Sequence, residues 1–340
     1  MKRVVFVLAL TACGGAEVDA PTAILFGEPV QLGDFPSVGF VGAFDGGRLL
    51  GSLCTASLIS TDTVLTAAHC LEDARVGTHD VYFARELTAF PNLAFATDRW
   101  SRAEQWSLHP DYVSARDGLI DEDLALVFLD EPLDASLVGA IADEHVAPYL
   151  VVGAPVTIVG YGDDENGLSG PLNKAKSFLS FVNDDTVRVG GKAPEPSRCS
   201  GDSGGPTFMV VDDGRLPPER IISVNSFGLV DCDSASTELR VDTHLDWMLT
   251  TMQTACDDGL RSGCADGALP RFATPLPTSS PTVPPAPTTT AAPDFEAVTI
   301  GEVRAPGGCT TAPGTSGITW VLALGWLLRR GSQFGSPRDP

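Results

Sequence analysis

Basic residues are scarce in this chain. Lys and Arg together number 22 against 44 Asp and Glu, and the formal net charge is −22. Nucleic-acid binding needs clustered cations facing phosphates, so nucleic acid is excluded as a partner. The acidic excess reads as a solubilising surface. Long hydrophobic runs are also missing. The apolar stretches Val4–Leu10 and Ile318–Leu328 both fall short of the roughly 20 residues that a spanning helix requires. No Cys–His grouping has the spacing of metal ligands, so neither a metal nor another cofactor is expected. The 43% hydrophobic content is ordinary for a globular protein with a core.

The N-terminus has the layout of an export signal: Lys2 and Arg3, then the apolar Val4–Leu10. Leu10-Thr11-Ala12-Cys13-Gly14 resembles a bacterial lipoprotein signal, in which the cysteine is acylated and becomes the first residue. Ordinary cleavage after Ala16 or Ala20 is the other reading of the same stretch. Eight cysteines fit an oxidising compartment. Six lie between Cys54 and Cys264 and read as three disulfides; Cys13 and Cys309, beside apolar segments at opposite ends, read as lipidation or processing sites.

Between Ile24 and about Met252 short β-rich runs recur, among them Ser37–Phe44, Thr63–Ala67, Leu124–Leu129, Pro155–Val159, Thr207–Val211 and Ile221–Val224. Gly, Pro, Asp and Asn punctuate them, the pattern of an all-β sandwich or barrel. Only Thr243–Met252 has helical spacing, with Asp242 as its expected N-cap. The domain is expected over 24–255, a small disulfide loop over 256–273 and a disordered Pro/Thr-rich linker over 274–308. The last segment, 309–340, carries the Ile318–Leu328 run and Arg329-Arg330, which would stay on the cytoplasmic side. Gly308-Cys309, the apolar run and the basic pair resemble the C-terminal sorting tags of myxobacterial surface proteins; a plain membrane anchor is the alternative.

Three blocks carry the chemistry. They are Thr66-Ala67-Ala68-His69-Cys70, then Asp123-Leu124-Ala125-Leu126, then Cys199-Ser200-Gly201-Asp202-Ser203-Gly204-Gly205-Pro206. A serine hydroxyl is a poor nucleophile until a base takes its proton, and imidazole titrates in the range that lets it give the proton back. A carboxylate can hold that ring in one tautomer. Singly, each block has a bland reading as a structural histidine, a turn aspartate or a glycine-rich surface loop. Together, in this order, the blocks resemble the chymotrypsin/trypsin family of serine endopeptidases. His109-Pro110-Asp111-Tyr112, Gly160-Tyr161-Gly162 and Ser226-Phe227-Gly228 extend the resemblance from about Ile24 to Met252.

The resemblance implies two six-stranded antiparallel β-barrels with a C-terminal helix. It implies His69, Asp123 and Ser203 as the catalytic triad, and the N–H groups of Gly201 and Ser203 as the oxyanion hole. Disulfides Cys54–Cys70 and Cys199–Cys232 follow from it, which leaves Cys256–Cys264; the family's frequent bridge between Gly162 and Ser197 has no cysteines here. Ile24-Leu25-Phe26-Gly27 stands at the family's mature start, so cleavage before Ile24 would free an amine to pair with Asp202. Ala23 stands where many zymogens carry Arg or Lys, so the activating protease would not be tryptic. Ser197, Arg198, Ser226, Phe227, Gly228 and Ser236 fall at the substrate pocket. With Ser197 rather than Asp at its base, cleavage after Arg or Lys is not expected. Arg198 could favour acidic substrate residues unless Glu238 neutralises it, and an apolar preference is expected. The other histidines, His79, His109, His145 and His244, read as surface or packing residues. Expected partners are protein or peptide substrates, an activating protease, and a membrane through one or both termini. The alternatives are an esterase with the same triad, which the barrel-type blocks disfavour, and an unactivated binding or adhesion module.

Overall fold

The computed structural model describes residues 24–31, 33–85, 100–114, 120–163, 171–192, 194–228, 232–264 and 270–275. The leader expected over 1–23 with Cys13, and the linker and C-terminal segment expected beyond 275 with Cys309, lie outside them. Among the described residues no helix is long and apolar enough to cross a membrane.

The first barrel starts from a hairpin. Gly46 and Gly47 have φ of 54° and 86°, the two positive values that a type I′ turn needs and that side-chain-bearing residues resist. Asp45 therefore pairs with Arg48, and Val38–Asp45 runs antiparallel to the long strand Arg48–Ser60. The full order is Trp100–Ala103, Asp80–Ala84, Val38–Asp45, Arg48–Ser60, Thr63–Thr66, Ala125–Phe128, Gln105–Leu108. Its two end strands are neighbours in sequence, separated at Glu104, so seven strands nearly close a barrel where six were expected. Val41, Leu58, Val64, Phe83 and Val127 fill its interior.

The second barrel is a closed ring of six strands: Pro206–Val210, Pro155–Gly160, Asn173–Val182, Thr186–Val189, Ser236–Arg240, Glu219–Phe227, and back to the first. Closure leaves no open sheet edge within the ring. Ile158, Leu179, Val187, Val224 and Leu239 form its core. Met248, Met252 and Ala255 share one face of the terminal helix Leu245–Asp257 and are buried, as their spacing dictates.

Two local expectations need correction. Asp242 does not cap the terminal helix: a 3₁₀ turn Asp242–His244 precedes it, and the Asp242 carboxylate is held by Arg240 at 2.6 Å. Residues 270–275 are paired rather than free: Arg271–Phe272 lies beside Ala140–Ile141, and Thr274–Pro275 beside Arg215–Leu216. The Pro/Thr-rich composition thus begins before the paired structure ends. The Cys256–Cys264 loop is also anchored. Arg261 reaches Asp62 of the first barrel at 2.6 Å, with both side chains buried, and the Gly263 N–H reaches the same carboxylate at 2.6 Å. That loop straps the terminal helix to the opposite barrel.

Candidate active site

Strand register brings the three blocks together. Thr66 pairs with Ala125. His69, three residues after Thr66 on a 3₁₀ turn, and Asp123, two before Ala125, therefore emerge at the same barrel end. In the second barrel Pro206 pairs with Val224, so Ser203, three before Pro206, and Ser226, two after Val224, share an end by the same logic. The two barrel ends meet at a cleft of about 300 Å³ whose lining includes His69, Gly201 and Ser203.

Asp123 is fully buried, and its carboxylate takes three hydrogen bonds. The His69 N–H donates to Oδ1 at 2.8 Å, His69 Nδ1 stands 2.7 Å from Oδ2, and the Ser226 hydroxyl donates to Oδ2 at 2.5 Å. Burial alone would raise this carboxyl; the His69 and Ser226 hydrogen bonds outweigh it and hold it below the usual carboxylate range. An ionised Asp123 accepts from Nδ1–H and leaves the Nε2 lone pair available to take a proton. Ser203 Oγ makes no hydrogen bond to Nε2 in this geometry; such bonds commonly tighten only with substrate in place. Ser226, placed by the sequence at the pocket, thus has its hydroxyl on Asp123. A lone serine in Ser226-Phe227-Gly228 gave no hint of that second contact.

The loop carrying Gly201 and Ser203 is pinned from the first barrel by Thr55, a residue that belongs to no recognisable motif. Its N–H donates to the Ser203 carbonyl at 2.9 Å, and its hydroxyl donates to the Gly201 carbonyl at 2.9 Å while accepting from the Tyr161 N–H at 3.0 Å. Gly204 must be glycine: its φ is +77°, and a Cβ would come within 2.9 Å of the Ala67 nitrogen and collide with Thr66 and Thr55. Gly201 has φ +93°. Among the described residues neither the Gly201 nor the Ser203 N–H donates to another backbone carbonyl.

A second cavity of about 260 Å³ adjoins the cleft and is lined by Ile120, Arg198, Ser203, Ser226, Phe227, Gly228 and Cys232 among others. Ser197 and Ser236 are not in that lining. Both are buried, with the Ser197 hydroxyl on the Cys232 carbonyl at 2.5 Å and the Ser236 hydroxyl on Glu238 at 3.1 Å. The Arg198 guanidinium turns into the barrel. It donates to Glu238 at 2.8 Å, to the Pro206 carbonyl at 2.7 Å and to Thr207 at 2.8 Å. Glu238 also accepts from Thr207 and Ser223. A buried ion pair with its remaining donors and acceptors satisfied is the arrangement a low-dielectric interior tolerates.

Asp202 is wholly buried and accepts from the Cys199 and Gly162 N–H groups, both at 2.9 Å. Gly160 and Gly162 make room for it, since a Cβ at either would strike the carboxylate. Burial pushes this carboxyl up to about 6. Ile24 is also buried, with φ 66°, and the next residue ties it to the segment before Arg198: Leu25 N–H donates to the Ser197 carbonyl at 3.1 Å. Disulfides join Cys54 to Cys70, Cys199 to Cys232 and Cys256 to Cys264.

Among the described residues three groups combine metal-capable side chains. In the first, Cys54 and Cys70 are spent in a disulfide beside His69. In the second, exposed Glu144 and His145 adjoin Asp143, which is taken by Arg215 at 2.7 Å. The third joins His109, Glu122 and His244, side chains up to 135 positions apart in the sequence.

The family model described as Trypsin matches residues 24–248. The chain is 26% identical over 259 residues to the suppressor of tumorigenicity 14 protein homolog of Bos taurus, covering 69% of this chain and 29% of that protein. It is 26% identical to phenoloxidase-activating factor 3 of Holotrichia diomphalia, over 66% of this chain and 71% of that one. It is 29% identical to brachyurin of Leptuca pugilator, over 58% of this chain and 86% of the relative. The chain therefore spans less than a third of the bovine protein's length.

Proposed function

Since this chain belongs to the trypsin family of serine endopeptidases, with a trypsin-like protease domain over residues 24–248, we propose that it hydrolyses peptide bonds through an acyl-enzyme on Ser203. Ser203 Oγ attacks the scissile carbonyl carbon while His69 Nε2 takes the hydroxyl proton. Asp123 holds the ring and stabilises the imidazolium. The carbonyl π pair moves onto oxygen, which the Gly201 and Ser203 N–H groups receive. As the C–N bond breaks, His69 returns the proton to the departing amine. Water then repeats the cycle on the ester and releases the acid.

The observation that carries this reading is the ionised, triply hydrogen-bonded Asp123 behind His69 at the mouth of the cleft. The preferred substrate side chain at the cleaved bond is apolar. The Arg198 charge is engaged by Glu238, and among the described residues no acidic side chain lines the adjoining cavity to meet a substrate Arg or Lys. Burying such a cation unpaired would be costly.

Activation by cleavage between Ala23 and Ile24 is supported by Ile24's backbone. A β-branched residue at φ 66° is strained by about 1–3 kcal/mol. Cutting the preceding peptide bond removes the carbonyl that defines φ and releases that strain. The Cys13 signal and the Cys309 segment support an exported enzyme, secreted or held at the cell surface by one or both ends on a Pro/Thr-rich stalk. Labelling with a fluorophosphonate probe tests the chemistry: the mature protein should react, and Ser203→Ala should not. An unreactive protein that begins at Ile24 would favour the binding-module alternative.

A further inference from the structure

The third of the groups above lies directly behind Asp123. Register explains how it assembles. Leu108 pairs with Ala125, so the antiparallel chain continues with the His109 N–H on the Leu124 carbonyl at 2.8 Å, which sets the His109 side chain near Glu122. His244 arrives from the 3₁₀ turn that opens the terminal helix. His244 Nε2 stands 2.7 Å from Glu122 Oε2, and His109 Nδ1 stands 3.7 Å from the same oxygen. The three donor atoms all lie within 4.8 Å of one another.

The hydrogen bonds suit ligation. His244 Nδ1 faces the Arg240 carbonyl at 2.6 Å. A carbonyl only accepts, so Nδ1 carries a proton and Nε2 is the nitrogen aimed at Glu122. An outer hydrogen bond of this kind to a main-chain carbonyl orients metal-bound histidines. His109 Nδ1 accepts one long bond, from the Asp111 N–H at 3.3 Å. The same nitrogen stands 3.7 Å from Glu122 Oε2, too far for a good hydrogen bond between them. A cation placed between the two would bind both, at the expense of the long Asp111 contact. Trp247 packs against the His109 ring at 4.7 Å and covers one side. Glu122 remains partly open to solvent and gives a way in.

We propose that His109, Glu122 and His244 form a site for a divalent metal of the zinc class, and that the metal slows the peptidase. Two imidazoles and one carboxylate with room for water are a donor set that zinc favours. At zinc–ligand distances of about 2.0–2.2 Å, tetrahedral donors lie about 3.4 Å apart. The present 2.7 and 3.7 Å bracket that spacing and the two histidine donors lie within 4.8 Å of each other, so binding needs donor shifts of about 1 Å. Zinc entry displaces the proton held between His244 and Glu122, which leaves for solvent.

The effect on catalysis follows from the chain path and rests on Asp123 acting in the triad. Glu122 has φ 47°, and the Leu124 N–H closes back on the Glu122 carbonyl at 2.8 Å, so Asp123 sits at the tip of a tight turn. Pulling Glu122 toward two histidines tilts that tip, and with it the carboxylate that holds His69. Displacements near 1 Å in such a constellation can cost about 10²-fold in rate. Zinc should therefore lower kcat and leave KM unchanged.

Two measurements test the two halves separately. Calorimetric titration of Zn²⁺ into the Ser203→Ala protein reads binding without activity. One ion per chain is expected, with a micromolar Kd that weakens about 10- to 100-fold in His109→Gln and in Glu122→Gln. His109→Gln keeps a folded reference if substitution of buried His244 does not. Absence of binding, or binding unchanged in both variants, overturns the site whatever the enzyme does. Kinetics of the active enzyme read the regulation. Inhibition that chelator reverses, lowers kcat and is lost in His109→Gln supports it. Competitive inhibition that persists in His109→Gln would place the metal on His69 and overturn it, as would binding with kcat unchanged.

Discussion

Asp202 offers a quantitative test of the activation reading. In the chain still joined at Ala23, its carboxyl is buried, raised from 3.8 to about 6, and has two N–H donors. At about 1.4 kcal/mol per tenfold change in proton affinity, the folded uncleaved chain forgoes about 3 kcal/mol at neutral pH. The sign is fixed by the direction of the shift. The folded state binds this proton more tightly than the unfolded state does, so the contribution is full below about pH 4 and is lost as pH rises through about 6. An ammonium freed at Ile24 would reverse it, because an adjacent cation favours the ionised form. Urea unfolding of the uncleaved Ser203→Ala protein at pH 4.5 and 7.5, against the same protein with Asp202→Asn, isolates the effect, since all other groups titrate in both. The uncleaved pair should diverge by about 2 kcal/mol over that range. Asn turns an amide toward one of the two N–H donors, which costs about 1 kcal/mol but adds no pH dependence. In chains released from a fusion to begin at Ile24, the divergence should vanish or change sign, and Asp202→Asn should abolish activity. Parallel pH profiles in the uncleaved pair would refute the buried, unpaired carboxylate.

Ser226→Ala removes a charge-assisted hydrogen bond from Asp123 and should lower kcat by about 10- to 100-fold with KM little changed; steady-state kinetics on a peptide ester and amide would read it. Asp62→Asn strands Arg261 in the interior and should destabilise the fold by about 3–5 kcal/mol, read by urea titration, with activity of the folded fraction intact. A positional-scanning peptide library should show cleavage after apolar residues, with Arg and Lys at least tenfold poorer; preferred cleavage after Asp or Glu would mean that Arg198 leaves Glu238 for the substrate.

Legibility in the sequence tracked the distance over which the physics acts. Runs with strong β character, such as Pro155–Val159, coincide closely with the strand Pro155–Gly160. The strand Arg48–Ser60 did not stand out, because its first half, Arg48-Leu49-Leu50-Gly51-Ser52, alternates weakly and carries a glycine at φ 65°. What makes it a strand is the Gly46-Gly47 turn, which folds it onto Val38–Asp45. Asp242 read as a cap from its position alone, and Arg240 outcompeted the helix N–H groups for its carboxylate. The 256–273 segment read as a local loop because no neighbouring residue hints at Asp62, some 200 positions away, as the partner of Arg261.

The site divides along the same line. Residues that react carry their signal locally, since a nucleophile, its base and the glycines around them need particular neighbours on the chain. Residues that hold those groups in place are ordinary in sequence and become specific only through register. Thr55 pins both Gly201 and Ser203 across the barrel interface. Ser226 reaches Asp123 because Val224 pairs with Pro206 at the end where the barrels meet. Glu238 is matched to Arg198 by strands that place Thr207 and Ser223 around the same carboxylate. The His109–Glu122–His244 cluster belongs with these supports: one strand pairing and one helix start set it behind Asp123, and no spacing rule could connect a histidine at 109 to one at 244. A ligand there would act on the chemistry through the Glu122–Leu124 turn that carries Asp123, so its influence should appear in turnover and not in substrate affinity.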